Sequence, residues 1–388
     1  MKLSALGIIN ALGSSKSEVL RAACSSSQRG LKKIANLIPD REAYFGVVEQ
    51  ELPPIKNPTY DFRTNRLLLH CFYQIENEWI ELTSKYAPHR IGIILGSNNT
   101  GLEKFDTHIK SYFQSKKMSA DLKIKWLEEG APTEFLQTVA KTEGIAYTVS
   151  TACSSGAKVF ATARNLINSD LCDAVLVGGT DDLCAFTIRG FNALGAYSSG
   201  ITNPFSKNRD GINIGEGAAL FIMEKNREGI EILGIGESSD AYHVTSPDPL
   251  GTGAKQSMQA AISDASLNPL DISYINLHGT GTFHNDSMES AAVKEIFGND
   301  PICASTKSLT GHLLGAAGTT EVALCWLMLS NLNEDRLLIP HIYDGDDMED
   351  PLTFAKSGQC KKIKYCLSNS FAFGGSNASV IIGTNDDA

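Results

Sequence analysis

Cys153 is the residue whose surroundings best suit covalent chemistry. It lies in Ser150-Thr-Ala-Cys-Ser-Ser-Gly156, between a short β-branched run and a helical pattern. A thiol at a helix N-terminus is close to unpaired backbone N–H groups and to the positive end of the helix dipole, which stabilise a thiolate. Such a thiolate could attack an acyl donor. The alternative is a small buried core cysteine, the interpretation we favour for the other eight cysteines.

Two histidines lie where they could assist such a nucleophile. His278 ends the apolar run Ile272–Leu277 and is followed by Gly-Thr-Gly-Thr282, whose glycines permit a tight turn into a cleft. His312 opens a helical pattern rich in small residues. Together with Cys153 they could form an acyl-transfer site, although each histidine taken alone is more often structural. The histidines show no HxxxH or HExxH spacing, so no metal site is predicted.

Lys307 and Glu321 are charged residues among small and apolar neighbours. Lys307 lies between Thr306 and Ser308, and Glu321 lies inside the apolar helical pattern that follows His312. A carboxylate in such a helix needs a partner, and Lys307 is the obvious candidate. The alternative for Lys307 is a solvated surface position.

Phe371-Ala-Phe-Gly-Gly-Ser-Asn377 lies between two predicted strands. Its adjacent glycines permit positive φ, so backbone N–H groups of this turn could form an oxyanion hole. A plain hairpin turn fits the same pattern.

Length and composition set the frame for these residues. The chain has 388 residues, 42% of them hydrophobic and 20% charged, which is typical of a globular protein of two to three domains or one large two-lobed unit. A net charge of −10 argues against a general nucleic-acid binder or an anionic-membrane binder. No apolar run approaches the length of a membrane-spanning helix.

Nine scattered cysteines without CxxC pairs indicate reduced thiols and a cytoplasmic protein. Met1–Ser15 is interpreted as a first strand rather than a signal peptide.

Alternating short β-like runs and helical patterns predict an α/β fold. The predicted strands are Arg90–Leu95, Ala146–Ser150, Ala174–Val177, Ala218–Met223, Tyr274–Leu277, Ile302–Ser305, Cys366–Ser370 and Ala378–Ile382. The predicted helices include Lys158–Ile167, Ala254–Asp264, Ser287–Phe297 and Leu313–Leu329. The amphipathic stretch Lys116–Glu129 is predicted to form an inserted cap.

One internal similarity suggests a duplication. Ser150-Thr-Ala-Cys-Ser-Ser-Gly156 resembles Ser305-Thr-Lys-Ser-Leu-Thr-Gly311, and each follows a β-branched run and opens a helix rich in small residues. Small residues let two helices approach closely, so these segments could be twin buried helices of a duplicated fold. A match this short also arises by chance.

Together these motifs resemble the β-ketoacyl-acyl-carrier-protein synthases, the elongating condensing enzymes of fatty acid and polyketide synthesis. The resemblance rests on five ordered blocks: Thr151-Ala-Cys-Ser-Ser-Gly156; Asn203-Pro-Phe-Ser-Lys-Asn-Arg-Asp-Gly211 with Gly215-Glu-Gly217; His278-Gly-Thr-Gly-Thr282 with Asn285-Asp286; Lys307 to Gly318; and Asn369 to Asn377. It implies a thiolase-like fold, in which two pseudo-repeated α/β halves form five layers, α-β-α-β-α. The N-terminal half, residues 1–229, would carry the nucleophile, and the C-terminal half, residues 230–388, would carry the two histidines.

The resemblance also implies roles for the catalytic residues. Cys153 would take the acyl chain as a thioester. His278 and His312 would polarise the malonyl thioester and stabilise the enolate formed as carbon dioxide leaves. Lys307 and Glu321 would hold the histidines and tune their charge. The product of this decarboxylative Claisen condensation would be a 3-oxoacyl chain, which makes the protein an acyltransferase.

The resemblance implies further binding residues and partners. The N–H groups of Cys153 and Phe373 would form the oxyanion hole, and Phe373 would also gate malonyl access. Thr280 and Thr282 would hold the phosphopantetheine arm of an acyl carrier protein, so that no further cofactor and no metal is required. The partners would be that carrier protein and either a second copy or a chain-length-factor-like subunit. Arg63 and Arg66 lie where the family often docks the acidic carrier protein, and ordinary surface arginines are the alternative.

Two departures from the family pattern are visible. Ala372 replaces a glycine common before the gating phenylalanine, which predicts altered loop motion. The short chain and the poorly matched region Arg21–Pro58 indicate a specialised pathway, such as bacterial aryl polyene synthesis. A non-catalytic scaffold or partner subunit and a thiolase acting on coenzyme A thioesters are the competing hypotheses. The presence of Cys153, His278, His312 and Lys307 together argues against the scaffold.

Overall fold

The computed structural model describes residues 1–225 and 228–384, and residues 385–388 of the predicted C-terminal half therefore lie outside the described part. The strands up to residue 225 are β1 (Lys2–Asn10), β2 (Leu31–Ile34), β3 (Ala43–Gly46), β4 (Ile91–Gly96), β5 (Ala146–Val149), β6 (Ala174–Asp181) and β7 (Gly217–Glu224). The helices there are α1 (Lys16–Cys24), α2 (Arg63–Tyr73), α3 (Glu76–Lys85), α4 (Leu102–Ser115), α5 (Ala131–Ala140), α6 (Ser155–Asn168) and α7 (Ala185–Ala193).

The second part of the chain repeats this alternation with fewer elements. Its strands are β8 (Ile230–Ser239), β9 (Tyr274–Asn276), β10 (Ile302–Ala304), β11 (Tyr365–Ala372) and β12 (Ser376–Thr384). Its helices are α8 (Thr252–Ala265), α9 (Phe283–Phe297), the short α10 (Lys307–Thr310) and α11 (Ala317–Leu329). All eight predicted strands and the predicted first strand exist, whereas β2, β3 and β8 were missed.

The two halves share one strand order. The first half runs β5-β4-β6-β7-β1 and the second runs β10-β9-β11-β12-β8. In both halves the first three strands are parallel and the last two are antiparallel. The strands of the two halves pair with each other at one position, Lys2 of β1 and Glu231 of β8. The predicted internal duplication is therefore present in the topology as well as in the sequence.

Five layers follow from the way the helices cover these strands. Helix α6 packs on β4 and β6 and also contacts β12 and β8, and α11 packs on β11 and β12 and also contacts β6 and β7. These two helices form the buried central layer, while α2 and α5 cover the first half and α8 and α9 cover the second. Strands that are covered on both faces have sequences that are almost entirely apolar or small, as β4, β6 and β7 do. This arrangement confirms the predicted fold class.

Two sequence predictions differ from the structure at helix boundaries. Residues Lys116–Glu129 do not form an amphipathic helical cap, because α4 ends at Ser115 and Lys116 takes a left-handed conformation there. The rest of that segment contains a 3₁₀ turn, Ile124–Leu127, held against the fold by buried Trp126. Helix α11 begins at Ala317 rather than at Leu313, since a 3₁₀ turn precedes it. Among the described residues, no helix combines the length and the hydrophobicity needed to cross a membrane.

Candidate active site

Cys153 is held in a strained connection between β5 and α6. The preceding residue, Ala152, has φ of +52°, a conformation that non-glycine residues rarely adopt and that marks functional sites. Ser155 supports this bend from the first turn of α6. Its hydroxyl accepts from the Thr151 N–H at 2.8 Å and donates to the Ala152 carbonyl at 2.6 Å. The bend aims the Cys153 side chain at the interface between the two halves.

Glycines let α6 and α11 approach closely enough to bring the two halves of the site together. A Cβ on Gly156 would lie 2.7 Å from the carbonyl oxygen of Gly315, and a Cβ on Gly318 would lie 2.6 Å from the backbone nitrogen of Ala157. The Thr319 hydroxyl donates to the Gly156 carbonyl at 2.8 Å across the same contact. The small residues therefore serve the helix packing that the sequence predicted.

The two histidines meet the thiol at this contact. His312 Nε2 lies 3.0 Å from Cys153 Sγ. The rings of His278 and His312 are 5.4 Å apart, centroid to centroid, and nearly perpendicular. His278 follows β9, whereas His312 follows α10, so the second half brings both imidazoles to the Cys153 thiol of the first half.

Lys307 and Glu321 form a buried ion pair behind the histidines. Lys307 Nζ donates to Glu321 Oε1 and to the backbone carbonyl of His278. Both side chains are almost fully buried, so Lys307 is not a solvated surface residue. The ammonium thus ties α11 to the residue that carries one of the two imidazoles.

Burial sets the protonation states of these groups. It lowers the pKa of both His278 and His312 well below the ordinary value, and the positive charge of Lys307 lowers it further. Both imidazoles are therefore neutral, with a ring N–H available as a hydrogen-bond donor. Burial also raises the pKa of Cys153 to about 12, against an opposing effect of Lys307. Burial therefore opposes the thiolate expected from the sequence, and His312 is the group in place to take the thiol proton.

Glu289 is a supporting residue that the sequence analysis missed. From α9, its two carboxylate oxygens accept from the N–H groups of His278 and Gly279, each at 2.8 Å. Burial raises the pKa of Glu289 to about 7, while these N–H donors oppose the shift. Asn369 on β11 donates to the same carboxylate at 3.3 Å. The signal available in the sequence was Glu289 lying one helical turn after Asp286, in a block already singled out.

His341 is a second residue without a predicted role. Its ring Nδ1 accepts from the Ser305 N–H at 3.1 Å, which leaves Nε2–H to donate to the Pro204 carbonyl at 3.0 Å. The ring is buried and stacks on Phe354, with the centroids 4.1 Å apart. His341 therefore fastens the turn before Lys307 to the Asn203–Gly211 block.

The predicted gate closes one side of the site. The Phe373 ring packs against Phe191, 5.6 Å between centroids. The Gly374 N–H donates to the Val244 carbonyl at 2.7 Å, so the loop is fastened to a neighbouring loop. Ala372 has φ of −108° and ψ of 157°, an extended conformation that alanine adopts without strain. The positive φ values of this turn are at Gly374 and Gly375, both of which keep glycine.

A cavity of about 430 Å³ leads to the thiol. Cys153, His278 and His312 lie within it, and Phe371 and Phe373 form part of its wall. Thr280 and Thr282 line the same cavity, with their hydroxyl oxygens 2.9 Å apart. The structure thus gathers every predicted catalytic, gating and arm-binding residue around this cavity, apart from the Lys307–Glu321 pair behind it.

The two arginines predicted to dock a carrier protein lie elsewhere. Arg63 donates to both carboxylate oxygens of buried Glu216, at 2.5 and 2.6 Å, and to the Val48 carbonyl at 2.9 Å. Arg66 makes a two-bond ion pair with Asp61, at 2.6 and 2.8 Å. Arg63 is already bound to Glu216 within the chain. The role of both arginines in carrier-protein docking stays a prediction.

Comparisons with known proteins agree with this site. The family model "Beta-ketoacyl synthase, N-terminal domain" matches residues 61–228, and "Beta-ketoacyl synthase, C-terminal domain" matches residues 230–333. The chain is 32% identical to the 3-oxoacyl-[acyl-carrier-protein] synthase 2 of Staphylococcus aureus over 312 residues, which cover 75% of this chain and 76% of that protein. It is 31% identical to the protein of the same name from Coxiella burnetii over 328 residues, 79% of this chain and 78% of that protein.

A solved structure is similar over nearly the whole chain. It is the ketosynthase ApeO of Xenorhabdus doucetiae, determined in complex with its chain length factor ApeC. The two chains share 36% identity and superpose with a TM-score of 0.92, covering 98% of this chain and 97% of that one. The catalytic geometry, the family models and these relatives lead to one conclusion: the chain belongs to the β-ketoacyl synthase family of condensing acyltransferases.

Proposed function

We propose that this chain elongates an acyl group held on Cys153 by decarboxylative Claisen condensation with a malonyl group held on an acyl carrier protein. The observation that carries the proposal is the 3.0 Å contact between Cys153 Sγ and His312 Nε2, with the neutral imidazole of His278 beside it. Known 3-oxoacyl-[acyl-carrier-protein] synthases at about one third identity support the substrate class.

Loading of the acyl chain comes first. The Cys153 thiol passes its proton to His312 Nε2, and the sulfur attacks the acyl thioester of the donor carrier. The N–H groups of Cys153 and Phe373 are assigned to the developing oxyanion. Collapse of the intermediate leaves an acyl-Cys153 thioester and releases the donor thiol, which takes the proton from His312.

Decarboxylation of the malonyl thioester follows. Before this step the neutral His312 ring exchanges its Nδ1 proton for one on Nε2, so that its net charge does not change. The neutral imidazoles of His278 and His312 then donate ring N–H groups to the malonyl thioester oxygen, which becomes an enolate oxygen as carbon dioxide leaves. An imidazole held neutral beside Lys307 cannot protonate the enolate readily, so the nucleophilic carbon survives. Thr280 and Thr282 are assigned to hold the phosphopantetheine arm during this step.

Carbon–carbon bond formation completes the cycle. The enolate carbon attacks the acyl-Cys153 carbonyl, and collapse of the oxyanion expels the Cys153 thiolate. The product is the 3-oxoacyl chain on the carrier, longer by two carbons, and the thiolate takes up from solvent the one proton that the complete cycle consumes. Every electron pair comes from substrate or sulfur, so we propose that no metal or cofactor is needed beyond the arm on the carrier.

The pathway and the partner are a finer part of the proposal. The aryl polyene assignment and a chain-length-factor-like subunit are supported by the similarity to ApeO, whose structure contains its chain length factor. A homodimer is the alternative assembly. Nine free cysteines suit a reducing cytoplasm, which is the proposed location.

Intact-protein mass spectrometry tests the proposal. The protein is incubated with carrier proteins bearing saturated, polyunsaturated or aryl chains, alone and with a candidate sister subunit, and malonyl-carrier is then added. The expected result is an acyl adduct on wild type that is absent from Cys153→Ala, and a 3-oxoacyl product only with the malonyl donor. An adduct on Cys153→Ala would refute the assigned nucleophile. Product from acetyl-coenzyme A alone would assign the protein to thiolase chemistry instead.

A further inference from the structure

A second, open cavity among the described residues lies far from the active site. It is an open groove of about 1000 Å³ at the C-terminal end of α11, beside the starts of β1, β8 and β11. At the other end of the same helix, Thr319 and the preceding Gly315 contact Gly156, three residues after Cys153. Helix α11 spans Ala317–Leu329, so at 1.5 Å per residue about 20 Å of packed core separate the groove from the thiol.

The groove concentrates positive charge on an acidic chain. Its cationic lining residues are Lys2, Lys16, Arg336, Lys361, Lys362 and Lys364, and Glu334 is the one acidic residue among the lining residues. Apart from Lys364, these cations form no ion pair with any residue in 1–225 or 228–384. The active-site cavity, by contrast, is lined by Arg209 with Asp210 and Asp240. A cluster of cations on a chain of net charge −10 gives this groove a local positive field that favours an anionic ligand.

The floor of the groove is apolar. Leu3, Trp326, Leu329 and Ile363 contribute to it. Trp326 is partly buried, and its indole N–H donates to the Leu3 carbonyl at 3.2 Å, which fixes the ring in place. A fixed aromatic ring in a groove that lysines also line matches a ligand with one apolar face and one acidic face.

We propose that this groove docks an acidic amphipathic segment of a protein partner, with apolar side chains on Trp326 and Leu329 and carboxylates toward the surrounding lysines. A compact phosphate-like anion fits less well. The groove receives the C-terminal end of α11, whose dipole end is negative and repels a point anion, whereas carboxylates spread along a segment can reach the lysines at the rim. The site is independent of acyl delivery, because the intervening core keeps a partner bound there away from Cys153.

Fluorescence anisotropy with a labelled helix-forming peptide of Glu, Ala and Leu tests the proposal on the full chain. The test variant combines Lys16→Gln, Lys361→Gln and Lys362→Gln. The matched control combines Lys56→Gln, Lys85→Gln and Lys117→Gln, three exposed lysines without an ion pair in the described part of the chain. We expect the groove variant to weaken peptide binding about tenfold or more and the control to leave it unchanged, with strong salt dependence in wild type. Acyl loading of Cys153 in the groove variant reports that its fold is intact.

Several outcomes would overturn the proposal. Equal loss in the control variant, or equal binding of a peptide with Gln in place of Glu, would remove the role of the groove charges. Displacement of the peptide by inorganic pyrophosphate at lower concentration would assign the groove to a compact anion. A wild-type oligomer that the groove variant dissociates would assign it to a second copy. Peptide binding seen only after removal of residues 385–388, which include two aspartates, would assign it to the chain's own end.

Discussion

The junction after β5 and the junction after β10 occupy equivalent places in the two halves, but they carry different chemistry. Cys153 and Ser308 each lie four residues beyond the end of their strand. After β5 a single long helix begins almost at once, whereas after β10 the short helix α10 is followed by a break before α11 begins at Ala317. The interruption places Lys307 on α10 and His312 in the break.

This difference shows how a duplicated fold builds an asymmetric site. The uninterrupted junction exposes a thiol to the cavity, while its counterpart, Ser308, is buried. The interrupted junction turns its chain back toward the other half, so that His312 reaches Cys153. In the proposed reaction, one half thus supplies the nucleophile and the other supplies the proton-handling groups.

Exchanging the two equivalent residues is expected to produce the largest effect. Cys153→Ala should reduce acyl loading by about 10³-fold or more, because it removes the nucleophile. Adding Ser308→Cys to that variant should not restore loading, since position 308 does not line the cavity. Intact mass after incubation with an acyl donor measures both. An adduct on the thiol introduced at position 308 would mean that the two junctions are chemically interchangeable.

Removing either histidine should separate the two half-reactions. His278→Ala leaves the Cys153–His312 contact intact, so loading should persist while condensation falls by about 10²-fold or more, because one donor to the enolate is lost. His312→Ala should lose condensation by a similar factor and retain loading at a lower rate. His284→Ala, at the exposed rim, is the matched control. Equal loss of loading and condensation in His278→Ala would contradict the assignment.

The close approach of the two central helices should be sensitive to a single methyl group. Gly156→Ala places a Cβ within 2.7 Å of backbone atoms of α11 and the turn before it, and should lower the free energy of unfolding by about 2–3 kcal/mol. Gly190→Ala in α7 meets nothing within 4 Å and should be neutral or stabilise by up to about 1 kcal/mol. Urea denaturation compares them. Equal stability of the two variants would show that the helices can move apart without cost.

The smallest expected effect concerns Asp182. This residue directly follows β6 in the first half, and Phe373 directly follows the equivalent strand, β11, in the second half. Burial, with Glu103, Glu216 and Asp181 nearby, raises its pKa well above the ordinary value. The folded state therefore keeps the proton that the unfolded state releases above its ordinary pKa, so wild type loses stability as pH rises from about 4.

Asp182→Asn should therefore raise the melting temperature at pH 8 and lose that advantage toward pH 4. Thermal denaturation across this range measures the difference, and Asp335→Asn at an exposed position is the control. An advantage that does not change with pH would mean that Asp182 is not buried in its neutral form.

The core of the site was predictable because its residues lie in local patterns. Cys153, His278 and His312 each follow a strand or begin a helical pattern. Small residues in the sequence predicted the contact between α6 and α11 that brings them together. Glu289 and His341 were missed because their partners, backbone N–H groups of distant turns, leave no periodic signal. Strand β8 was missed because its pattern includes glycines and glutamates that local propensity disfavours.

The sequence alone determined the α/β fold class and predicted a nucleophile with the groups that assist it, because strand–helix alternation and motif residues are local properties of the chain. The tertiary structure decided which of these groups touch and in which protonation state. Burial raises the pKa of Cys153 and holds both histidines neutral, and a long-range ion pair joins the partly exposed Arg63 to buried Glu216. Desolvation and long-range contacts depend on what the rest of the chain places around each side chain, and no local pattern encodes that.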